Sequence, residues 1–385
     1  MNTAAAPSDT HHASWIENGQ ARRALWRAPG GGTAPRRIEV VDDTLNADAA
    51  FRLANAGACM LWRGDFHNAV QLLQALARRV DARRGRKRHG AEPVAQAEAF
   101  NLYRMAQSQR ARLLNSVLIE LDAGFGIGLR RAPDVRQACT EALAAAGEPM
   151  LLPLRALQGI VGAHEWRRKG VAVEGLEHPI HVHYGVFSPL RGEYLDLLRQ
   201  APLPATDLAF DIGTGSGVIA ALLAARGVRR IVATDLDPRA LACARENFQR
   251  QGLTGRIELQ DTDLFPEGLS PLIVCNPPWL PARPTLPQEQ AIYDPDSRML
   301  LGFLDGLRGH LRAGGEGWLI LSDLAEHLGL RAPGFLAGAI AAAGLQVLGR
   351  LDIRPRHRKA ADPDDPLYAA RRAEVTSLWR LVPLQ

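Results

Sequence analysis

The tetrad Asn276-Pro277-Pro278-Trp279 combines two carbonyl acceptors, a rigid backbone and a flat aromatic face. A conjugated nitrogen, in an amide or on an aromatic ring, is a poor nucleophile because its lone pair is delocalised into the neighbouring π system. If the Asn276 side-chain carbonyl and the Pro277 backbone carbonyl each accept one N–H, the lone pair is left pointing at an electrophile. The positive charge that develops on nitrogen is then stabilised. The two prolines fix the backbone that carries the acceptors, and Trp279 offers a face for a planar target. No strong general base is required, since the proton leaves after the transfer. Asn276, Pro277, Pro278 and Trp279 therefore form a candidate catalytic set for group transfer onto a planar nitrogen.

The second motif lies upstream, in Asp211-Ile212-Gly213-Thr214-Gly215-Ser216-Gly217. Leu208 to Ile212 reads as a strand and Val218 to Ala225 as a helix, so Gly213, Thr214, Gly215 and Gly217 occupy a turn where backbone must come close to a ligand. The third glycine comes one residue earlier than in a dinucleotide fingerprint, and Val218 takes the fingerprint position, which argues against a Rossmann oxidoreductase. Asp211 would repel a pyrophosphate; it suits the cationic amino-acid end of S-adenosylmethionine. Asp235, ending the next strand, is placed to accept both ribose hydroxyls, with Leu236 beside it. Asp263, in Asp261-Thr262-Asp263-Leu264-Phe265, is placed for the adenine amine, with Leu264 or Phe265 against the ring. Asn276 completes the cofactor set.

These residues need a scaffold that brings strand ends together. The pattern beyond Asp207 alternates strands and helices: Arg230 to Thr234, Pro238 to Gln251, Ile257 to Gln260, Leu272 to Cys275, Met299 to Leu311, Gly317 to Ser322, Pro333 to Ala343, Leu345 to Leu351 and a last strand at Glu374 to Leu381. It predicts an α/β, doubly wound sheet that binds ligands at the carboxyl ends of its strands. Four domains are expected: a partly flexible arm over 1–45, a helical basic substrate-recruiting domain over 46–150, a linker with a β-hairpin over 151–205, and the cofactor-binding domain over 206–385. Helical spacing of apolar residues over Asn46 to Val80 and Ala91 to Leu121 supports the mostly α-helical second part.

With 385 residues and 46% hydrophobic content the chain can bury a large core. No stretch is apolar enough for a membrane span, and Met1 to His12 lacks a signal-peptide pattern, so a cytoplasmic location is expected. Residues 1–150 hold 20 Lys and Arg against 15 Asp and Glu, whereas 151–385 hold 26 against 26, so the net charge of +5 lies entirely in the N-terminal part. Its densest run, Arg83-Arg84-Gly85-Arg86-Lys87-Arg88-His89, reads either as a phosphate or acidic-surface contact or as a solvated loop. Arg354-Pro355-Arg356-His357-Arg358-Lys359 carries the same two readings. Cys59, Cys139, Cys243 and Cys275 are too dispersed for a disulfide framework. No metal site is expected: one at His178, His181 and His183 is conceivable, but the three read as plain strand positions, with no carboxylate or cysteine to complete the set.

On Asp211 to Gly217, Asp235, Asp263 and Asn276 to Trp279, the chain resembles the class I methyltransferases. Within them it is similar to the small-domain branch that includes protein glutamine N-methyltransferases acting on release factors or ribosomal proteins. Val186-Phe187-Ser188-Pro189-Leu190-Arg191-Gly192-Glu193 and Tyr293 to Leu300 also resemble family segments, and the likeness covers about residues 165 to 350. It implies S-adenosylmethionine as cofactor, a doubly wound sheet with an antiparallel last strand, and methylation of a planar nitrogen. It further implies substrate contacts at Phe187, Pro189, Arg191 and Trp279. The chain departs from the family in carrying Trp279 where tyrosine is usual, in lacking an Ile-Pro-Arg-Pro run after Phe187, and in its N-terminal residues. A glutamine side chain in a protein of the translation machinery is favoured as target. The exocyclic amine of adenine or guanine in RNA or DNA is an alternative, since related enzymes with the tetrad use it and a basic N-terminal domain suits it. A non-catalytic S-adenosylmethionine-binding protein is the third reading, against which the intact tetrad argues. Nothing in the sequence fixes an oligomeric state.

Overall fold

The computed structural model describes residues 11–28, 31–88, 96–143, 147–189, 192–283, 292–356, 362–363 and 365–384, without side-chain detail at 83–88 and 96. The chain divides into two compact units, residues 1–94 with 101–164, and residues 95–100 with 165–385.

The first unit is built on a six-stranded sheet. Its elements are β1 (His12–Glu17), β2 (Gln20–Trp26), β3 (Ile38–Val41), α1 (Ala47–Asn55), β4 (Cys59–Trp62), α2 (Phe66–Arg88), α3 (Gln96–Leu114), β5 (Val117–Leu121), α4 (Arg136–Ala142), β6 (Met150–Pro153) and the start of α5 (Leu154–Lys169). The strand order is β1-β2-β6-β5-β4-β3. This corrects two expectations. Residues 46–150 are α/β rather than a helical domain, and the 1–45 arm contributes three strands. Asn18 and Gly19, both at positive φ (50° and 74°), make the tight turn that joins β1 to β2. The hairpin escaped the sequence reading because its inward residues are sparse: Ala13, Trp15 and Ala24, packed on Leu61, Leu118 and Leu151. Strands β4, β5 and β6 are short apolar runs, Cys-Met-Leu-Trp, Val-Leu-Ile-Glu-Leu and Met-Leu-Leu-Pro, which periodicity cannot separate from buried helix. The basic run after Val80 continues α2 as far as Arg88; His89 and the run's side chains lie outside the described residues.

The second unit holds a seven-stranded sheet. After α5 come α6 (Glu193–Gln200), β7 (Leu208–Ile212), α7 (Val218–Ala225), β8 (Arg230–Asp235), α8 (Pro238–Arg250), β9 (Ile257–Asp261) and β10 (Ser270–Cys275). They are followed by α9 (Arg298–His310), β11 (Leu311–Ser322), α10 (Leu324–His327), α11 (Phe335–Ala342), β12 (Leu345–Ile353), α12 (Tyr368–Ala373) and β13 (Thr376–Pro383). The order is β12-β13-β11-β10-β7-β8-β9. Strands β7 to β11 run parallel, and β13 inserts antiparallel between β11 and β12. This is the expected doubly wound sheet with an antiparallel last strand.

Alternation along the buried strands feeds two cores. Phe210, Ile212, Val232, Ile273 and Cys275 meet Leu300, Phe303, Leu304 and Leu307 of α9 on one face. Ala209, Ile231, Ala233, Leu272 and Val274 meet α6, α7, Ala244 and Phe248 on the other. Side chains on opposite faces of each strand are both buried, as a parallel sheet covered on two sides requires.

The expected linker over 151–205 instead holds the end of β6, then α5, α6 and the segment between them. Its hairpin is reduced to a single antiparallel bridge, Val171 with Ile180. The units divide after His164. Among the described residues, no helix is long and apolar enough to cross a membrane.

Candidate active site

Register sets the site. Ile212 of β7 pairs with Thr234 of β8 on one side and Cys275 of β10 on the other, so Gly213, Asp235 and Asn276 leave three adjacent strands at one level. The neighbours of β7 lie on opposite sides in chain order, which opens the crevice where such sheets bind ligands.

The glycine turn folds over the end of β8. The Thr214 N–H donates to the Thr234 carbonyl at 2.8 Å, and the Gly215 N–H donates to Asp235 Oδ2 at 2.9 Å. Gly213, Gly215 and Gly217 have φ of 71°, 57° and 81°, where a side chain is strained. Their surroundings differ. A Cβ at Gly217 would lie 2.6 Å from the Phe248 ring, and one at Gly213 would lie 2.4 Å from Met299 Cε. At Gly215 a Cβ would meet nothing within 4 Å, so this glycine faces open space.

Asp211 is wholly buried. Its Oδ2 accepts from Thr214 Oγ1 at 2.7 Å and from the Ala220 N–H at 3.1 Å, tying the turn to the start of α7. Its Oδ1 is buried without a partner among the described residues. Burial pushes its pKa up to about 7, against those two bonds and with help from the nearby Asp235 charge. Asp235 accepts from Asp237 N–H through Oδ1 at 2.9 Å and from Gly215 through Oδ2, and each oxygen keeps a lone pair for a hydroxyl. Burial raises its pKa, and the Asp237 and Gly215 N–H groups offset part of the rise. Leu236 beside it is 52% exposed, an apolar face open to a ring. These features fit S-adenosylmethionine: Asp211 Oδ1 lacks a donor that an ammonium would supply, Asp235 has lone pairs for a ribose, and Gly215 leaves room for close approach.

The segment after β9 departs from expectation in one respect. Asp263 is 48% exposed and its Oδ2 pairs with the Arg298 guanidinium. Leu264 has φ of 65°, and its carbonyl accepts from Thr234 Oγ1 at 2.6 Å. Of Leu264 and Phe265, the two alternatives for the adenine ring, Phe265 stacks on His310 at 4.4 Å and on Phe303 at 5.8 Å. Gly302 and Gly306, one turn apart on α9, leave a slot: a Cβ at either would collide with Leu264 or Phe265. Phe265 is thus committed to the core, and Leu264 lies partly buried against Gly302.

In the tetrad Pro277 is buried, and Asn276, Pro278 and Trp279 are partly exposed. The Trp279 Nε1–H donates to Asn276 Oδ1 at 3.0 Å. Cys275 is fully buried, and burial, with the Asp211 and Asp294 charges, raises its pKa well above the ordinary thiol value, which leaves it strand packing rather than a nucleophile.

Just past the tetrad, the chain pairs with the segment that leads into α9. Leu280 bridges Tyr293 in parallel, with Leu280 N–H to the Ile292 carbonyl at 3.1 Å and Asp294 N–H to the Leu280 carbonyl at 2.8 Å. Asp294 is buried, and its carboxylate accepts from the Met299 and Leu300 N–H groups at 3.0 and 3.1 Å, holding the first turn of α9. Asp294 therefore braces this segment. The sequence reading did not pick out Met299, which covers Gly213, or Arg298, which holds Asp263. Their only sequence signal is position, just after an acidic helix start.

Phe187 lies partly buried, tilted against Tyr194 at 6.4 Å. Pro189 lines a cavity of about 370 Å³ with Glu193, Asp196, Arg199 and Arg356, and no tetrad residue lines it. Phe187 and Trp279 pack against the same hydrophobic cluster, and Arg191 lies outside the described residues. Arg356, from the second basic run, is committed to α6, through its N–H on Glu193 Oε1 at 2.6 Å and its guanidinium on Asp196 at 3.4 Å; 357–359 are not described. The histidines fasten their segment to α8. His181 N–H donates to Asn247 Oδ1 at 2.8 Å, and His183 Nε2 lies 2.7 Å from Glu246 Oε2, which also takes Arg167 at 2.6 Å.

Residues 178–325 match the family model described as the methyltransferase small domain. The chain is 39% identical over 185 residues to a release factor glutamine methyltransferase of Cereibacter sphaeroides, covering 43% of this chain and 63% of that protein. It is 32% identical over 199 residues to a ribosomal protein uL3 glutamine methyltransferase of Bordetella pertussis, covering 49% and 59%. It is 31% identical over 183 residues to a ribosomal RNA small subunit methyltransferase C of Chromohalobacter salexigens, covering 46% and 49%. The chain thus spans less than two thirds of the length of each of these relatives. The sheet order, the glycine turn and the tetrad at one level thus lie in the part of the second unit that is similar to the methyltransferase small domain.

Proposed function

We propose that the protein is an S-adenosylmethionine-dependent N-methyltransferase that methylates a planar nitrogen, the side-chain amide of a glutamine in a protein of the translation machinery. The observation that carries this reading is the common level of Gly213, Asp235 and Asn276 at the ends of β7, β8 and β10, which sets two carbonyl acceptors beside a turn fit for the cofactor. The cofactor supplies a methyl group on a sulfonium, whose C–S electron pair stays with sulfur as the C–N bond forms. The Asn276 side-chain carbonyl and the Pro277 carbonyl hold the two N–H groups of the target and stabilise the charge gained by nitrogen. The proton is lost to solvent afterwards. Asp211 and Asp235 hold the two ends of the cofactor, and Met299 closes the turn against Gly213.

Glutamine is favoured because the relatives matched over more of their own length, 63% and 59% against 49%, are named as glutamine methyltransferases. A second reading, methylation of an exocyclic base amine in RNA, draws support from the ribosomal RNA methyltransferase relative and from the excess of positive charge before residue 150. The test is transfer of radiolabelled methyl from S-adenosylmethionine into cell extract separated into protein, RNA and DNA. Asn276→Ala is expected to abolish the label while cofactor affinity stays within about twofold, since one acceptor of the transition-state charge is lost. Label confined to RNA selects the second reading, and label nowhere refutes both.

A further inference from the structure

An asparagine amide has two ends of nearly equal size, and only the carbonyl end can accept the N–H of a target. A half-turn about the last side-chain bond would point the NH2 at the reacting nitrogen and repel it. Site chemistry therefore requires Asn276 to be held in one of its two orientations. The atom that faces Trp279 decides which. An indole N–H is a donor with no acceptor capacity, so the Asn276 atom 3.0 Å from Trp279 Nε1 is the carbonyl oxygen. The indole cannot follow a flipping amide, because its ring packs against the hydrophobic clusters on both faces of the sheet. Oδ1 has two lone pairs, and the indole takes one, which leaves one for the target.

We propose that Trp279 is a positioning residue, whose indole N–H locks the Asn276 amide with its oxygen toward the reacting nitrogen. This rests on the N-methyl transfer reading and goes beyond the flat stacking face that the sequence assigns to Trp279. The indole acts through Asn276, so its effect depends on Asn276 having two different ends.

That dependence supplies the experiment. Trp279→Phe keeps an aromatic ring but removes the donor together with part of the ring volume, so it is made both in the wild-type chain and in Asn276→Asp, whose two carboxylate oxygens make orientation irrelevant while the packing change stays the same. The readouts are methyl incorporation from tritiated S-adenosylmethionine into the protein fraction of cell extract, cofactor affinity by calorimetry, and the Asn276 side-chain amide signals in ¹⁵N spectra. In the wild-type background Trp279→Phe is expected to lower turnover about tenfold, as loss of one hydrogen bond does, with cofactor affinity within about twofold and displaced Asn276 amide signals. In the Asn276→Asp background the same change is expected to cost less than about twofold, because no orientation remains to be held. An equal loss in both backgrounds would make Trp279 a stacking or packing residue and overturn the proposal. If Asn276→Asp is inactive, the amide signals decide: unmoved signals in Trp279→Phe overturn it. Absence of any methyl incorporation by the wild type would refute the N-methyl transfer reading, and the spectra would still report on the lock separately.

Discussion

The Gly215 N–H donates to Asp235 Oδ2 at 2.9 Å, so the middle glycine of the turn after β7 is fastened to the acid that ends β8. One carboxylate thus shapes the turn and, in the proposed function, would also take the ribose hydroxyls on its remaining lone pairs. Asp235→Ala is expected to weaken S-adenosylmethionine binding about tenfold or more, by the loss of hydrogen bonds to a charged acceptor. Calorimetric titration checks this, and unchanged affinity would remove Asp235 from the cofactor site.

Gly215 and Gly217 share a positive φ but not an environment. Gly217→Ala forces a methyl against the Phe248 ring, where a Cβ would sit 2.6 Å away, and is expected to destabilise the fold by about 2–3 kcal/mol in urea unfolding. Gly215→Ala meets nothing within 4 Å and is expected to cost only about 1 kcal/mol of backbone strain while lowering cofactor affinity. Equal stability losses in the two variants would contradict this division between packing and binding.

Asp211 carries a pH signature. Its pKa stands at about 7 in the fold against 3.8 for the ordinary side chain, chiefly through burial. Between those values the folded state binds more protons than the unfolded one, so this contribution to stability is fully present below about pH 4 and is lost as pH rises through about 7. Asp211→Asn removes it. The variant is therefore expected to gain stability relative to the wild type as pH rises from 4 to 7 in denaturant unfolding. Binding of an ammonium should draw the proton off Asp211, so cofactor affinity is expected to rise with pH through 7 in the wild type and to lose that dependence in the variant. A pH-independent difference between the two proteins would disprove the assignment.

Glu246 works in the opposite sense. Burial raises its pKa, but bonds from Arg250, His183 and Arg167 outweigh the burial and hold it at about 2. Its stabilisation is present above the ordinary value of 4.5 and is lost as pH falls toward 2. Glu246→Gln is expected to cost about 2 kcal/mol at neutral pH by urea unfolding. The loss should shrink toward pH 2, and a constant one would point to packing.

Much of the catalytic unit was legible because its signals are local. A strand of buried apolar residues, a turn that only glycine tolerates and a proline pair after the fourth strand each follow from side-chain size and backbone freedom within a few residues. The N-terminal unit was less legible. Cys59–Trp62 and Met150–Pro153 are four-residue apolar runs, and whether such a run lies in a sheet depends on partners distant in the chain.

By itself the sequence determined the parallel core of the second unit, the carboxyl ends of β7 and β10, and a tetrad rich in carbonyl acceptors just beyond β10. The tertiary structure alone decided which groups meet: Met299 over Gly213, Arg298 on Asp263, Phe265 taken by the glycine slot of α9, and the Trp279 N–H on Asn276. The last pair lies close in sequence, yet the partly exposed indole is seated by packing against two separate hydrophobic clusters. Local propensity marks the elements whose signals are contained within a few residues, whereas long-range burial decides whether short apolar runs become strands and which way polar ends turn.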